Sequence, residues 1–168
     1  MSAKGYLTAP EYKAIRQTLG FTQEEVAEFH HCRNLRTIRR WERGDSQVSL
    51  IACDKITALL EQINRIISAA VEQAEEQARQ HADFEVVLLI YPDSCYRQYA
   101  YGFAELPNNI HRTMIFRTYQ SLRVLGIKCG IVEFEPQFYF TYLAAHGLKD
   151  SPAARAEWAA QYHSSLLN

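Results

Sequence analysis

The sequence predicts a mainly α protein in two parts. Residues 1–82 read as a helical domain ending in a long linker helix, and residues 83–168 as a small α/β (α+β) module. Three observations carry this. The first half repeats its apolar residues near period 3.6, broken by Gly20 and Gly44. Between Leu50 and Ala82 there is neither Pro nor Gly. Near residue 83 the period changes, and Phe84 to Tyr91, apolar except for Glu85, reads as a buried strand.

Ala9 to Leu19 places Ala14, Ile15 and Leu19 on one side, and Gly20 supplies a stop. Thr22-Gln23-Glu24-Glu25 is a capping box that starts a second helix running to about His30. Phe21, just before it, is placed to staple onto Val26. Asn34 caps a third helix that ends at Gly44. Ser46 or Ser49 opens the next segment, one or two helices. Its stripe is Ile56, Leu59, Leu60, Ile63, Ile66, Ile67, Ala70 and Ala74. In it, Leu59, Ile63, Ile66 and Ala70 read as a coiled-coil seam too short to stand alone, or as packing within the chain.

In the second half, Pro92-Asp93 closes the first strand. Tyr96 to Glu105 is aromatic and fits no single period. Leu106-Pro107-Asn108-Asn109 is turn chemistry, with Asn109 as a cap. His111 to Leu125 reads as helix and Ile127 to Phe134 as a second strand. Phe138 to Ala145 fits either strand or helix. Ser151-Pro152 opens a last helix to about Leu167.

With 168 residues and a net charge of −1, overall charge favours no partner class. Its distribution is more informative. Residues 1–45 carry 8 Lys+Arg against 6 Asp+Glu, and five arginines fall within residues 33–43. No stretch is long and apolar enough to span a bilayer, and Met1 to Pro10 has no apolar core of a secretory signal. Cys32, Cys53, Cys95 and Cys129 form no CxxC pair, so free thiols in the reducing cytoplasm are expected.

On a helix from Asn34 to Arg43, Leu35, Ile38 and Trp41 share the side that must be buried. Arg36, Arg39, Arg40 and Arg43 fall at i, i+3, i+4 and i+7 and make a second face of guanidinium groups alone. Four like charges in two turns repel, at a few tenths of a kcal/mol per pair. Phosphate and base acceptors relieve that repulsion, because each guanidinium offers a bidentate fork. A solvated face is the plain alternative. Against it stand the all-Arg composition, the capped helix at turn distance and the apolar opposite side. A helix pair of this kind is a helix-turn-helix, whose second helix enters the major groove.

Thr22-Gln-Glu-Glu-Val-Ala and Trp41-Glu42-Arg43-Gly44 resemble the helix-turn-helix of the Cro/CI (xenobiotic-response-element) repressors. That resemblance covers about residues 8–50. It implies that Gln23 holds a phosphate, that Arg16 pairs with Glu42, and that base-reading side chains lie along the third helix. The chain departs from the common pattern between Ala27 and Ile38, where it is one residue longer. The usual turn glycine is absent and His31 stands nearby. The longer turn is similar to that of the YdiL-type proteins and the anti-CRISPR-associated repressors. In the latter subgroup the base-reading positions correspond to Arg36 and Arg39; the common register favours Arg36, Thr37 and Arg40. The subgroup also implies a linker helix and a small α/β dimerisation module.

The expectation is a cytoplasmic, homodimeric transcriptional regulator, most simply a repressor, bound to an inverted repeat of double-stranded DNA with half-sites about 10 bp apart. Gln23, Arg33, Asn34, Arg36, Thr37, Arg39, Arg40 and Arg43 are its candidate DNA contacts, Arg33 and Arg43 on phosphate. Arg16 and Glu42 are its structural ion pair. Alternatives are an antitoxin-like protein-interaction module and a regulator sensing a small effector through the aromatic second half.

No catalytic role, cofactor, metal or membrane association is expected. Adjacent His30-His31-Cys32 cannot wrap one ion and reads as a polar turn. Asp93-Ser94-Cys95 follows a strand, where α/β enzymes keep catalytic groups. However, the chain has no GxSxG elbow, Gly-rich phosphate loop or HExxH. The run Tyr91, Tyr96, Tyr99, Tyr101 and Phe103 reads as a domain core or as a ligand pocket.

Overall fold

The computed structural model describes residues 5–100 and 102–166. The protein is mainly helical with one small two-stranded sheet, and its residues group into two compact units that divide between Ile66 and Ile67. The division lies inside a helix, upstream of the change of sequence period near residue 83. No helix among the described residues is long and apolar enough to cross a membrane.

The first unit holds α1 (Ala9–Leu19), α2 (Gln23–Phe29), α3 (Leu35–Arg43) and the start of α4 (Leu50–Gln80). Thr8 caps α1 through a capping box with Glu11, with Pro10 in the first turn. Thr8-Ala-Pro-Glu11 is a sequence signal for this start that the apolar period alone does not reveal. Thr22 and Glu25 form the capping box of α2, one residue shorter at its end than the spacing suggests. The Phe21 ring lies 5.3 Å from Phe29. Asn34 caps α3, and Gly44 ends it at φ 78°. α1 and α2 each pack against α3. Tyr12, Leu19, Val26, Ile38, Trp41 and Ile56 are the buried centre.

α4 is one unbroken helix of 31 residues. The Ser49 hydroxyl accepts from the Ala52 amide, so Ser49 rather than Ser46 opens it. Ile56, Leu59, Ile63, Ile67 and Ala74 are buried along it, whereas Ala70, expected on the same stripe, is exposed.

The second unit contains β1 (Glu85–Ile90), α5 (Tyr96–Tyr99), α6 (Asn108–Val124), β2 (Lys128–Glu133), α7 (Pro136–His146) and α8 (Pro152–Leu166). The strands are parallel, Glu85 opposite Lys128 and Ile90 opposite Glu133, so the chain crosses over through α5 and α6. Side chains alternate across the sheet. Val87 and Leu89 join the cluster of Phe134, Tyr139 and Trp158, while Val86 and Leu88 join Leu122, Ile127 and Ala74. On β2, Gly130 lets the His163 ring of α8 close on the backbone, and His163 Nδ1 lies 3.2 Å from Glu85.

Two local expectations are corrected here and one open choice is decided. Asn109 is not a cap: α6 begins at Asn108 after Pro107. The Asn108 amide is committed to the Tyr91 carbonyl at 2.8 Å and to Asp93 at 2.6 Å. The stretch from Phe138 is helix, started by Pro136 and stopped at Gly147, φ 63°. β1 is not a buried strand: its five apolar residues are all half-buried. The last helix does open with the Ser151 hydroxyl, which accepts from the Ala154 amide.

Candidate nucleic-acid interface on α2 and α3

α3 has two opposed faces. Ile38 and Trp41 are buried and Leu35 is half-buried, while Arg36, Arg39, Arg40 and Arg43 are exposed. Burying the first set fixes the rotation of the helix and turns the arginines outward. Among the described residues, Arg33, Arg36 and Arg40 have no acidic partner. Arg43 pairs with Asp45 at 2.9 Å, with both side chains in solvent. Thr37 is half-buried, and Arg33 is exposed in the turn before the cap. The Asn34 side-chain oxygen accepts from the Arg36 amide at 2.8 Å, so it is occupied in starting α3.

Glu42 ties three elements together. Its carboxylate accepts from Arg16 Nε and, at 3.4 Å, from Arg16 Nη2. It also accepts from Gln23 Nε2 at 2.7 Å. Arg16 Nη1 donates to the Phe21 carbonyl, which joins α1 to the residue before the α2 cap. Gln23 is thereby held at the first position of α2, and its own oxygen accepts from Arg39 Nε at 3.4 Å. Gln23 and Arg39 therefore meet across the two helices, while the remaining arginines stand apart along α3.

The turn between the two helices is built by a residue the sequence does not favour there. His31 takes φ 54°, the one positive φ among described non-glycine residues. The His31 amide donates to Glu28 and the Cys32 amide to Ala27, each at 2.8 Å, which caps the orphan carbonyls of α2. The preceding His30 opens this turn, but its ring packs on aromatic rings and makes no polar contact among the described residues. Its ring sits 5.1 Å from Phe29 and 6.0 Å from both Tyr12 and Trp41. Neither His30 ring nitrogen nor the Tyr12 hydroxyl has a partner among the described residues. Burial, aided by the charge of Lys55, pushes His30 down to about 4. Burial, with Glu42 nearby, pushes the Tyr12 phenol up.

In the second unit the aromatic run is mostly core. Tyr91, Tyr96, Phe134, Tyr139 and Trp158 share one buried cluster, and Tyr99 and Phe103 pack on it; Tyr101 lies outside the described residues. Arg155, which sequence reasoning missed, is buried among them. Its Nη2 lies 2.7 Å from Asp150, its Nη1 donates to the Tyr99 carbonyl, and its guanidinium lies 5.3 Å from the Phe134 ring centre. The available signal is one Arg in the Ala-rich run from Pro152 to Ala160, five residues after Asp150. Cys95 is buried with its Sγ 3.7 Å from the Pro92 carbonyl, and burial pushes its thiol up, the opposite of what a nucleophile needs.

No curated protein matches the chain. Residues 1–163 match the family model described as a domain of unknown function, DUF4447, and the chain belongs to that family.

Proposed function

We propose that this protein binds double-stranded DNA sequence-specifically as a transcriptional regulator, with α2 and α3 acting as a helix-turn-helix. The observation that carries this is the exposed guanidinium face of α3. It lies opposite a buried apolar face, and three of its members, Arg36, Arg39 and Arg40, have no acidic partner among the described residues. In this reading α3 lies in the major groove. Arg36, Arg39 and Arg40 reach base edges, guanine O6 and N7 first, each good bidentate contact contributing about 1–3 kcal/mol of discrimination. Gln23 and the first amides of α2 hold a backbone phosphate. Arg33 and Arg43 flank the site and contact phosphate.

Fluorescence anisotropy tests this with the duplex upstream of the protein's own gene against a scrambled duplex, each at two salt concentrations. The reading expects tighter binding to the native duplex and affinity that falls with salt, because phosphate contacts release counterions. Equal weak binding to both duplexes, with no salt dependence, overturns it.

A further inference from the structure

β1 has the composition of a central strand and the position of an edge strand. Between Glu85 and Ile90 there is no Lys, Pro or bulge, the devices by which exposed edges avoid pairing. Both faces are apolar, as in strands covered on both sides. Yet all five apolar residues remain half-buried, whereas β2 buries Gly130 and Val132. Each face packs on a cluster of the unit, and among the described residues no strand lies against the outer edge.

The hydrogen-bond pattern says which groups line that edge. The Ile90 carbonyl accepts from Phe134 at 2.8 Å and so points toward β2. In a strand the two polar groups of one residue point the same way and alternate with those of the next. Val86 and Leu88 therefore also face β2, and Glu85, Val87 and Leu89 present their amides and carbonyls to the open edge.

We propose that a second copy of this chain pairs with that edge, β1 antiparallel to β1 about a two-fold axis at Val87. Val87 then faces its own copy and Glu85 faces Leu89, with about six main-chain hydrogen bonds from three facing pairs. The strand is suited to itself. Its one charge lies at one end, so the antiparallel copy sets Glu85 against an apolar residue and never against another carboxylate. The two-stranded sheet becomes four-stranded, with a buried centre that matches its sequence. This inference does not depend on the DNA-binding reading.

The test is the mass of the full chain by sedimentation equilibrium, from micromolar to sub-millimolar concentration, for the wild type and Val87→Pro. Proline at that position removes an outward amide and leaves the β1–β2 ladder intact. The expected result is twice the chain mass for the wild type. The variant is expected to be a monomer with unchanged helical circular dichroism. Amide hydrogen exchange on the wild type decides the case if the variant does not fold: the Val87 and Leu89 amides are expected to be protected at least tenfold in the dimer. A wild-type monomer throughout the range overturns the proposal. So does a folded Val87→Pro dimer, or a wild-type dimer in which those two amides exchange freely.

Discussion

Arg16 and Glu42, 26 residues apart in the chain, lock α1 to α3 through two hydrogen bonds between a guanidinium and a carboxylate that are both almost fully buried. The same carboxylate holds Gln23, so one acidic group organises the core of the unit and a residue at its proposed DNA surface. Glu42→Ala leaves a buried guanidinium with only the Phe21 carbonyl, and about 3–5 kcal/mol of stability should be lost. Urea unfolding of the variant measures this. Replacing both partners by apolar residues, Arg16→Met with Glu42→Leu, should cost much less than either single change.

The arginine face makes a register prediction. If Arg36 and Arg39 read bases, Arg39→Ala should lose about 1–3 kcal/mol on the native duplex while leaving the scrambled one little changed. If the common register holds, Arg40→Ala should show that loss instead. Arg33→Ala should weaken both duplexes alike and reduce the salt slope by about one, the signature of a phosphate contact. Anisotropy titrations of the three variants separate the cases.

Two histidines, His30 half-buried and His111 buried, set an acid limit. His30, in the first unit, and His111, which packs on Tyr91 and Tyr96 in the second, are each pushed down from 6.5 to about 4, by burial first. The unfolded chain therefore binds more protons than the folded one between those values, and stability rises with pH across that window. It is fully present above about pH 6.5 and is lost as pH falls toward 4. Urea midpoints measured from pH 7 to pH 4 should fall for the wild type. The slope should be shallower in His30→Phe and in His111→Phe.

His31 sits in a left-handed conformation that a Cβ disfavours by about 1–2 kcal/mol, and glycine pays part of that back in unfolded-chain entropy. His31→Gly should therefore raise stability by about 0.5–1 kcal/mol, read as a higher melting temperature. His31→Val, branched at Cβ, should lower it.

Much of the fold was legible because its signals are local. The Thr22–Glu25 box, the Asn34 cap and the Gly44 stop each act within a single turn, and the arginine face follows from helical spacing. The start of α6 was not legible, because Asn108 bonds to Tyr91 and Asp93 rather than capping its helix. Nor was the His30 ring legible: next to His31 and Cys32 it reads as a solvated turn residue, and only the packing of Tyr12, Phe29 and Trp41 takes its ring out of water. Arg155 is the same case, a charge whose acceptors are the distant Tyr99 carbonyl and Asp150.

The local signals along the chain marked the starts of α2 and α3, the stops at Gly20 and Gly44, and which side of α3 must be buried. These depend on hydrogen bonds and side-chain spacing within one or two turns. The tertiary structure decided which polar groups lose their water: the Arg16–Glu42–Gln23 network, His30 and Arg155. It also decided that β1 is an open edge. Whether a strand is central or an edge is set by its neighbours in space, and an apolar run carries no record of how many neighbours the folded chain supplies.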